Sequence, residues 1–211
     1  MISIGQISMK IKFTQGELKK QRDAQRQYER YLPTLQLKKQ QLQLEILHQQ
    51  SALMKRKNSL SEREKSAEDW LGLLIEAPEI RQWLMMEKII TGKKNIAGVD
   101  IPVFERVDFK PAEYDLFLMP LWLDAGIEAL RDMVSLLEEI RVIEEGISVL
   151  KHELRITTQR VNLFEKVKIP EAKETIHLIK IYIGDQMTSA VGRSKIVKNK
   201  IEEANFEEVA T

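Results

Sequence analysis

Residues 133–164 read MVSLLEEIRVIEEGISVLKHELRITTQRVNLF, and their spacing decides the fold. Alternating steps of three and four pick out Met133, Leu136, Ile140, Ile143, Ile147, Leu150, Leu154, Thr157, Val161 and Phe164. All but Thr157 are apolar, and the intervening residues are mostly charged or polar. Such a repeat draws one narrow apolar stripe along a helix, the pattern of a coiled-coil seam. A helix cannot bury its own stripe, so a partner of similar length is required.

Downstream the seam slips by one residue near Pro170 and resumes as Ala172, Ile176, Ile179 and Ile183. Upstream, the first part of the chain supplies the partner. From Thr14 to about Arg63 the sequence is rich in the helix formers Gln, Lys, Arg, Glu and Leu, and Gly16 is its one glycine. Thr14 followed by Glu17 is spaced as a capping box. The same repeat runs through Tyr28, Leu32, Leu35, Lys39, Leu42, Ile46, Gln49, Leu53, Arg56 and Leu60. Its three polar members either fix register or face a wet part of the interface. Pro33 and Pro170 remove helical N–H donors, and if the two segments run antiparallel they fall at similar heights. A shared kink at Pro33 and Pro170 is therefore expected.

Between the two seams the pattern changes. Residues 66–92 hold Trp70, Trp83 and too many apolar side chains for a two-stranded seam, broken by Gly72, Pro78 and Gly92. They read as short helices of a small head, with a boundary at Pro78. Residues 94–110 have no helical period. Val99, Ile101 and Val103 alternate around Asp100 and an edge-strand Pro102, which predicts a β-hairpin over about 94–110. A two-stranded ribbon is marginal alone, so it is expected to rest on the head or on a partner. The return helix is expected to start after Pro111 and run through Pro120 and Trp122. The expected fold is mainly α: a long antiparallel two-helix coiled coil from segments 10–63 and 121–205, with a central head at 64–120.

Composition agrees. The 211 residues are 31% charged and 6% aromatic, and nine Gly and six Pro leave few turns. A net charge of +1 supplies no field toward nucleic acid or an anionic membrane. Absence of cysteine excludes disulfides and thiolate metal sites. No apolar run approaches the roughly 20 residues of a membrane span. The expectation is a soluble cytoplasmic protein with no direct membrane insertion.

No catalytic constellation stands out. His48, His152 and His177 are scattered, and neither HExxH, GxxxxGK[ST] nor GxGxxG occurs. Glu138-Glu139 and Glu144-Glu145 fit a solvated coiled-coil face. Lys55-Arg56-Lys57 and the basic stretch 195–200 lack an aromatic platform for bases. Neither an enzyme nor a cofactor, metal or nucleic-acid partner is expected.

One stretch goes further than physics. TQRVNLFEKVKIPEAKETIHLIKIYIGD, residues 158–185, resembles the C-terminal signature of the D subunit of the vacuolar/archaeal-type rotary ATPases. The matching positions are Arg160-Val161-Asn162, Glu165, Ile169-Pro170, Ile176 and Ile179, followed by basic Lys195, Lys198 and Lys200. Asn95, Gly98 and Val99, followed by Pro102 and Phe104, are similar to that family's hairpin motif. Pro33 and the Gln-rich first helix depart from its better-known members and point to a divergent bacterial branch. The resemblance implies a central rotor shaft, peripheral to the membrane. Its partners would be the A and B subunits of the catalytic hexamer, the F subunit, and the subunit docking the stalk on the membrane ring. A free-standing coiled-coil adaptor or scaffold shares the fold and differs in partners. An enzyme with a helical arm would need a nucleotide fold for which the helices leave no room.

Overall fold

A computed structural model describes residues 11–76, 80–111 and 119–209. The first helix, α1, spans Gln15–Glu68 and passes through Pro33 without a break in helical structure. Its start is capped as expected on one side: the Glu17 N–H donates to Thr14 Oγ1 at 3.3 Å. The reciprocal half of the capping box is absent, since the Glu17 carboxylate accepts from Gln21 Nε2 at 2.8 Å. A 3₁₀ turn, Leu71–Glu76, and a short helix, α2 (Ile80–Trp83), follow. Strands β1 (Met86–Ile96) and β2 (Val99–Phe109) form an antiparallel hairpin. Helix α3 (Leu123–Leu163) leads through a π turn (Phe164–Lys168) into α4 (Ile169–Val209).

The structure corrects two expectations. The hairpin begins at Met86, inside the stretch read as helical. Ile89, Ile90 and Thr91 are β-branched neighbours that stand on a pleated strand better than in a helix. The return helix begins at Leu123, so Pro120 and Trp122 precede it; the Leu123 N–H bonds to the Pro120 carbonyl at 3.0 Å and the Gly126 N–H to that of Trp122 at 2.9 Å. The boundary expected at Pro78 lies outside the described residues, as do positions 112–118 of the expected return helix.

The chain divides into two compact units, one of residues up to Gln36 and from Gln159, the other Leu37–Thr158. In the first, Phe13 meets Tyr182 with ring centroids 5.0 Å apart, and Tyr28 meets Phe164 at 5.3 Å. As α1 numbers rise, their partners' numbers fall, so the helices run antiparallel. Val161, Ile169, Ala172, Ile176 and Ile179 are buried along that contact. The one-residue slip in the sequence has a cause: the π turn absorbs an extra residue, the Ile169 N–H reaching back to the Phe164 carbonyl. Pro170 sits just past it, where a regular helix would drive its ring against the carbonyl four residues back.

In the second unit the helices are again antiparallel, as the ion pairs Lys38–Glu153 (2.9 Å), Arg56–Glu139 (2.9 Å), Lys57–Glu144 (2.7 Å) and Arg63–Asp132 (2.7 Å) show. Leu42, Ile46, Leu136, Ile140, Ile147, Leu150 and Thr157 are buried; Leu53, Leu60, Met133, Ile143 and Leu154 are half-buried, as are Leu35 and Phe164 in the first unit. Deeper burial concentrates in two places. Ile80, Trp83, Leu123 and Ile127 form the head, flanked by Leu74, Met119, Trp122 and Leu130. Leu42, Ile46, Leu150 and the hairpin's Ile101 form the other cluster.

Candidate functional site

The hairpin is seated on the helices rather than on the head alone. Two stiff strands bury little between themselves, so stability requires a second surface. Ile101 supplies the anchor at 2% exposure, and Ile96, Ala97 and Val99 at the tip join it on Leu42, Ile46, Val149, Leu150 and Leu154. The hairpin lies directly against α3 at Gly146, where a Cβ would stand at ordinary contact distance, 3.8 Å, from the Ile101 side chain and the Pro102 carbonyl. Val142, one turn before Gly146, is also buried. Together Val142, Gly146 and Val149 form a second small-to-apolar stripe beside the seam. In the sequence the seam alone accounts for the helix period, so this stripe has no separate signal.

The turn is built from Asn95-Ile96-Ala97-Gly98. Ala97 and Gly98 both have positive φ, 52° and 77°, as a two-residue turn matched to strand twist requires. Asn95 Oδ1 accepts the Gly98 N–H at 3.1 Å, and Asn95 Nδ2 donates to Asp100 Oδ1 at 2.6 Å, across the pair Asn95↔Asp100. Val99 pairs with Ile96 and Pro102 with Lys93. Lys94 reaches Glu45 of α1 at 3.7 Å, fastening the tip at its edge. The Glu45 carboxyl is held below its ordinary range, first by the hydrogen bond from Gln49, then by Lys94 and His48, against an opposing effect of burial.

At the other end of the hairpin, Arg131 of α3 donates to the Trp83 carbonyl at 2.8 and 3.2 Å and to the Lys110 carbonyl at 2.7 Å. Its guanidinium lies 5.2 Å from the Phe109 ring centre. One side chain thus ties α2, β2 and α3 together, a role that no local pattern in the sequence announces.

The resemblance-bearing residues divide by face. Arg160, Asn162, Glu165 and Pro170 are exposed, whereas Val161 and Ile169 between them are buried. The former are therefore not what holds the helices together. Exposure continues along α4, where every residue from Gly184 to Glu203 faces solvent, including Met187, Val191, Ile196, Val197 and Ile201 among Arg193, Lys195, Lys198 and Lys200. On α1, Leu37, Leu44, Leu47 and Met54 are exposed on a face otherwise furnished with Gln40, Gln43 and other uncharged groups. Leu44, Leu47, Ile46, Gln40, Gln43 and Leu154 line a shallow apolar groove there.

The basic run Lys55-Arg56-Lys57 is largely occupied, Arg56 and Lys57 being bound by carboxylates of α3. His48, His152 and His177 are all exposed. Among the described residues no group of three or more His, Cys, Asp or Glu is placed to hold a metal ion, and no helix is long and apolar enough to cross a membrane.

Known proteins match nearly the whole of this chain. The model of the family described as the D subunit of ATP synthase matches residues 17–199. A V-type ATP synthase D subunit of Borreliella burgdorferi is 41% identical over 196 residues, covering 93% of this chain and 97% of the relative. Proteins of the same description from Chlamydia pneumoniae and Chlamydia muridarum are each 30% identical, covering 93% of this chain and 95% and 98% of theirs.

Proposed function

Because this chain belongs to the family of ATP synthase D subunits, and is thereby a component of a V-type rotary ATPase, we propose that it is the central rotor shaft of that complex. It carries torque between the A/B catalytic hexamer and the ion-translocating membrane ring, without itself catalysing hydrolysis, and lies peripheral to the membrane on the cytoplasmic side. What supports this most is the antiparallel helix pair whose second helix runs on past the Tyr182–Phe13 contact, its residues from Gly184 to Glu203 all exposed and both apolar and basic among them. An exposed apolar surface of that kind marks a contact with other proteins.

The remaining surfaces suit the other partners. The C-terminal part of α4 inserts among the A and B subunits. The uncharged face around Leu44 and Leu47 receives the F subunit, since interface centres are depleted of charge. The head, with Leu71, Met85 and Leu121 exposed beside its core, meets the subunit that docks the stalk on the ring. Two interlocked seams resist twist better than one helix, because rotation must shear many packed layers together.

Removing the chain from Gly192 onward tests the reading. Coupling of ATP hydrolysis to ion movement in the reconstituted complex falls at least about tenfold, while the truncated chain keeps its helicity and melting temperature. Unchanged coupling overturns the assignment of the inserted end.

A further inference from the structure

The π turn at Phe164–Lys168 separates two helical stretches that need it in order to share one seam. Before it, Val161 and Phe164 face α1; after it, Ile169, Ala172, Ile176 and Ile179 do. Were the turn to close into regular α-helix, everything beyond would rotate by one residue, about 100°. The inward positions would become Lys168, Glu171, Thr175, Leu178 and Tyr182.

That second set is close to a usable seam. Leu178 and Tyr182 are apolar or aromatic side chains now left 44% and 43% exposed, and Thr175 is already buried at 9%. Lys168 and Glu171 are its charged members; they pair with each other at 3.2 Å, and both are long enough to carry their charges to the edge of the contact. From Thr175 onward α4 thus carries two adjacent apolar phases, 175/178/182 and 176/179/183. In the resting phase Thr175 is buried and Tyr182 meets Phe13, which leaves Leu178 as the member on the outside of the seam. Pro170 favours the present state, because closing the turn sets its ring against the Lys166 carbonyl.

We propose that the π turn is a torsional slip point. The part of α4 beyond it turns about its own axis by one residue, exchanging Ile176 and Ile179 for Thr175 and Leu178 against α1, and Pro170 holds the resting phase. Beyond Ile183, where the residues through Glu203 are all exposed, the C-terminal stretch follows as one piece. The slip needs no partner and so stands or falls apart from the shaft assignment.

The chain has no cysteine, so single thiols report without background. Ile179→Cys places one in the resting seam, and Ala172→Cys provides a second reporter that alters packing less. Labelling by a soluble disulfide reagent is followed on the isolated full-length chain. Leu178→Lys, harmless where Leu178 is exposed but barred from the seam, slows labelling of either thiol at least tenfold at unchanged melting temperature. Pro170→Ala, which relieves the bias, speeds it at least threefold. Rates that ignore both substitutions, or that merely track the melting temperature, overturn the proposal.

Discussion

Ala97 and Gly98 close the hairpin with left-handed backbone, and Gly98 does so with open space around it, nothing lying within 4 Å of where a Cβ would be. Gly98→Ala therefore isolates backbone strain from crowding. It is expected to cost the hairpin about 1 kcal/mol, seen as roughly fivefold faster amide exchange across β1 and β2 with α3 unchanged. Glu45 gives the second test at this scale. Its carboxyl pKa is lowered in the folded chain, so its contribution is fully present above the ordinary carboxylate range and is lost as pH falls through the lowered value. Acidification should loosen the hairpin tip more in the parent than in Glu45→Gln, by the difference in their unfolding free energies at pH 7 and pH 3. A hairpin was legible from its alternation, which places it within about 94–110, whereas its turn falls at Ala97–Gly98 and its first strand lies mostly before that stretch. The Lys94–Glu45 contact was not legible, because nothing local says which helix a surface lysine reaches.

A repeat of 3.5 residues has one structural solution, and along it Leu42, Ile46, Leu136, Ile140, Ile147, Leu150 and Val161 are buried, whereas Arg56 is exposed and the buried Val142 lies outside the repeat. Val161 is 4% exposed, and burying a charge there costs its hydration. Val161→Asp should destabilise the chain by at least about 3 kcal/mol in urea unfolding followed by circular dichroism. Its exposed neighbour provides the contrast: Arg160→Ala should stay within about 0.5 kcal/mol of the parent. The phase slip before Ala172 was equally readable, though only the folded backbone reveals that a π turn takes up the extra residue. Two elements were misread. The run Met85-Met86-Glu87-Lys88-Ile89-Ile90 satisfies a helical period as well as a strand, and tertiary packing decided for the strand. The hairpin was expected to rest on the head or on a partner; instead Ile101 seats it on Leu42, Ile46 and Leu150, a contact that no local pattern announces.

For the whole molecule, burial and exposure assign different work to different parts of one helix. Inward residues of α1, α3 and α4 make the helix pairs, while Arg160, Asn162, Glu165, Pro170 and the stretch from Gly184 to Glu203 are exposed. Membership of the D-subunit family gives the partners of this chain a class, and the shaft proposal gives them positions. The most direct test exploits the absence of native cysteine. Ala190→Cys, on the exposed part of α4, is oxidised in the assembled complex to a disulfide with a cysteine introduced in a facing A or B subunit, and ATP hydrolysis is measured before and after reduction. A rotating shaft predicts that the cross-linked complex stops hydrolysing and that the reductant restores the rate. Hydrolysis continuing at full rate with the cross-link intact would contradict the account.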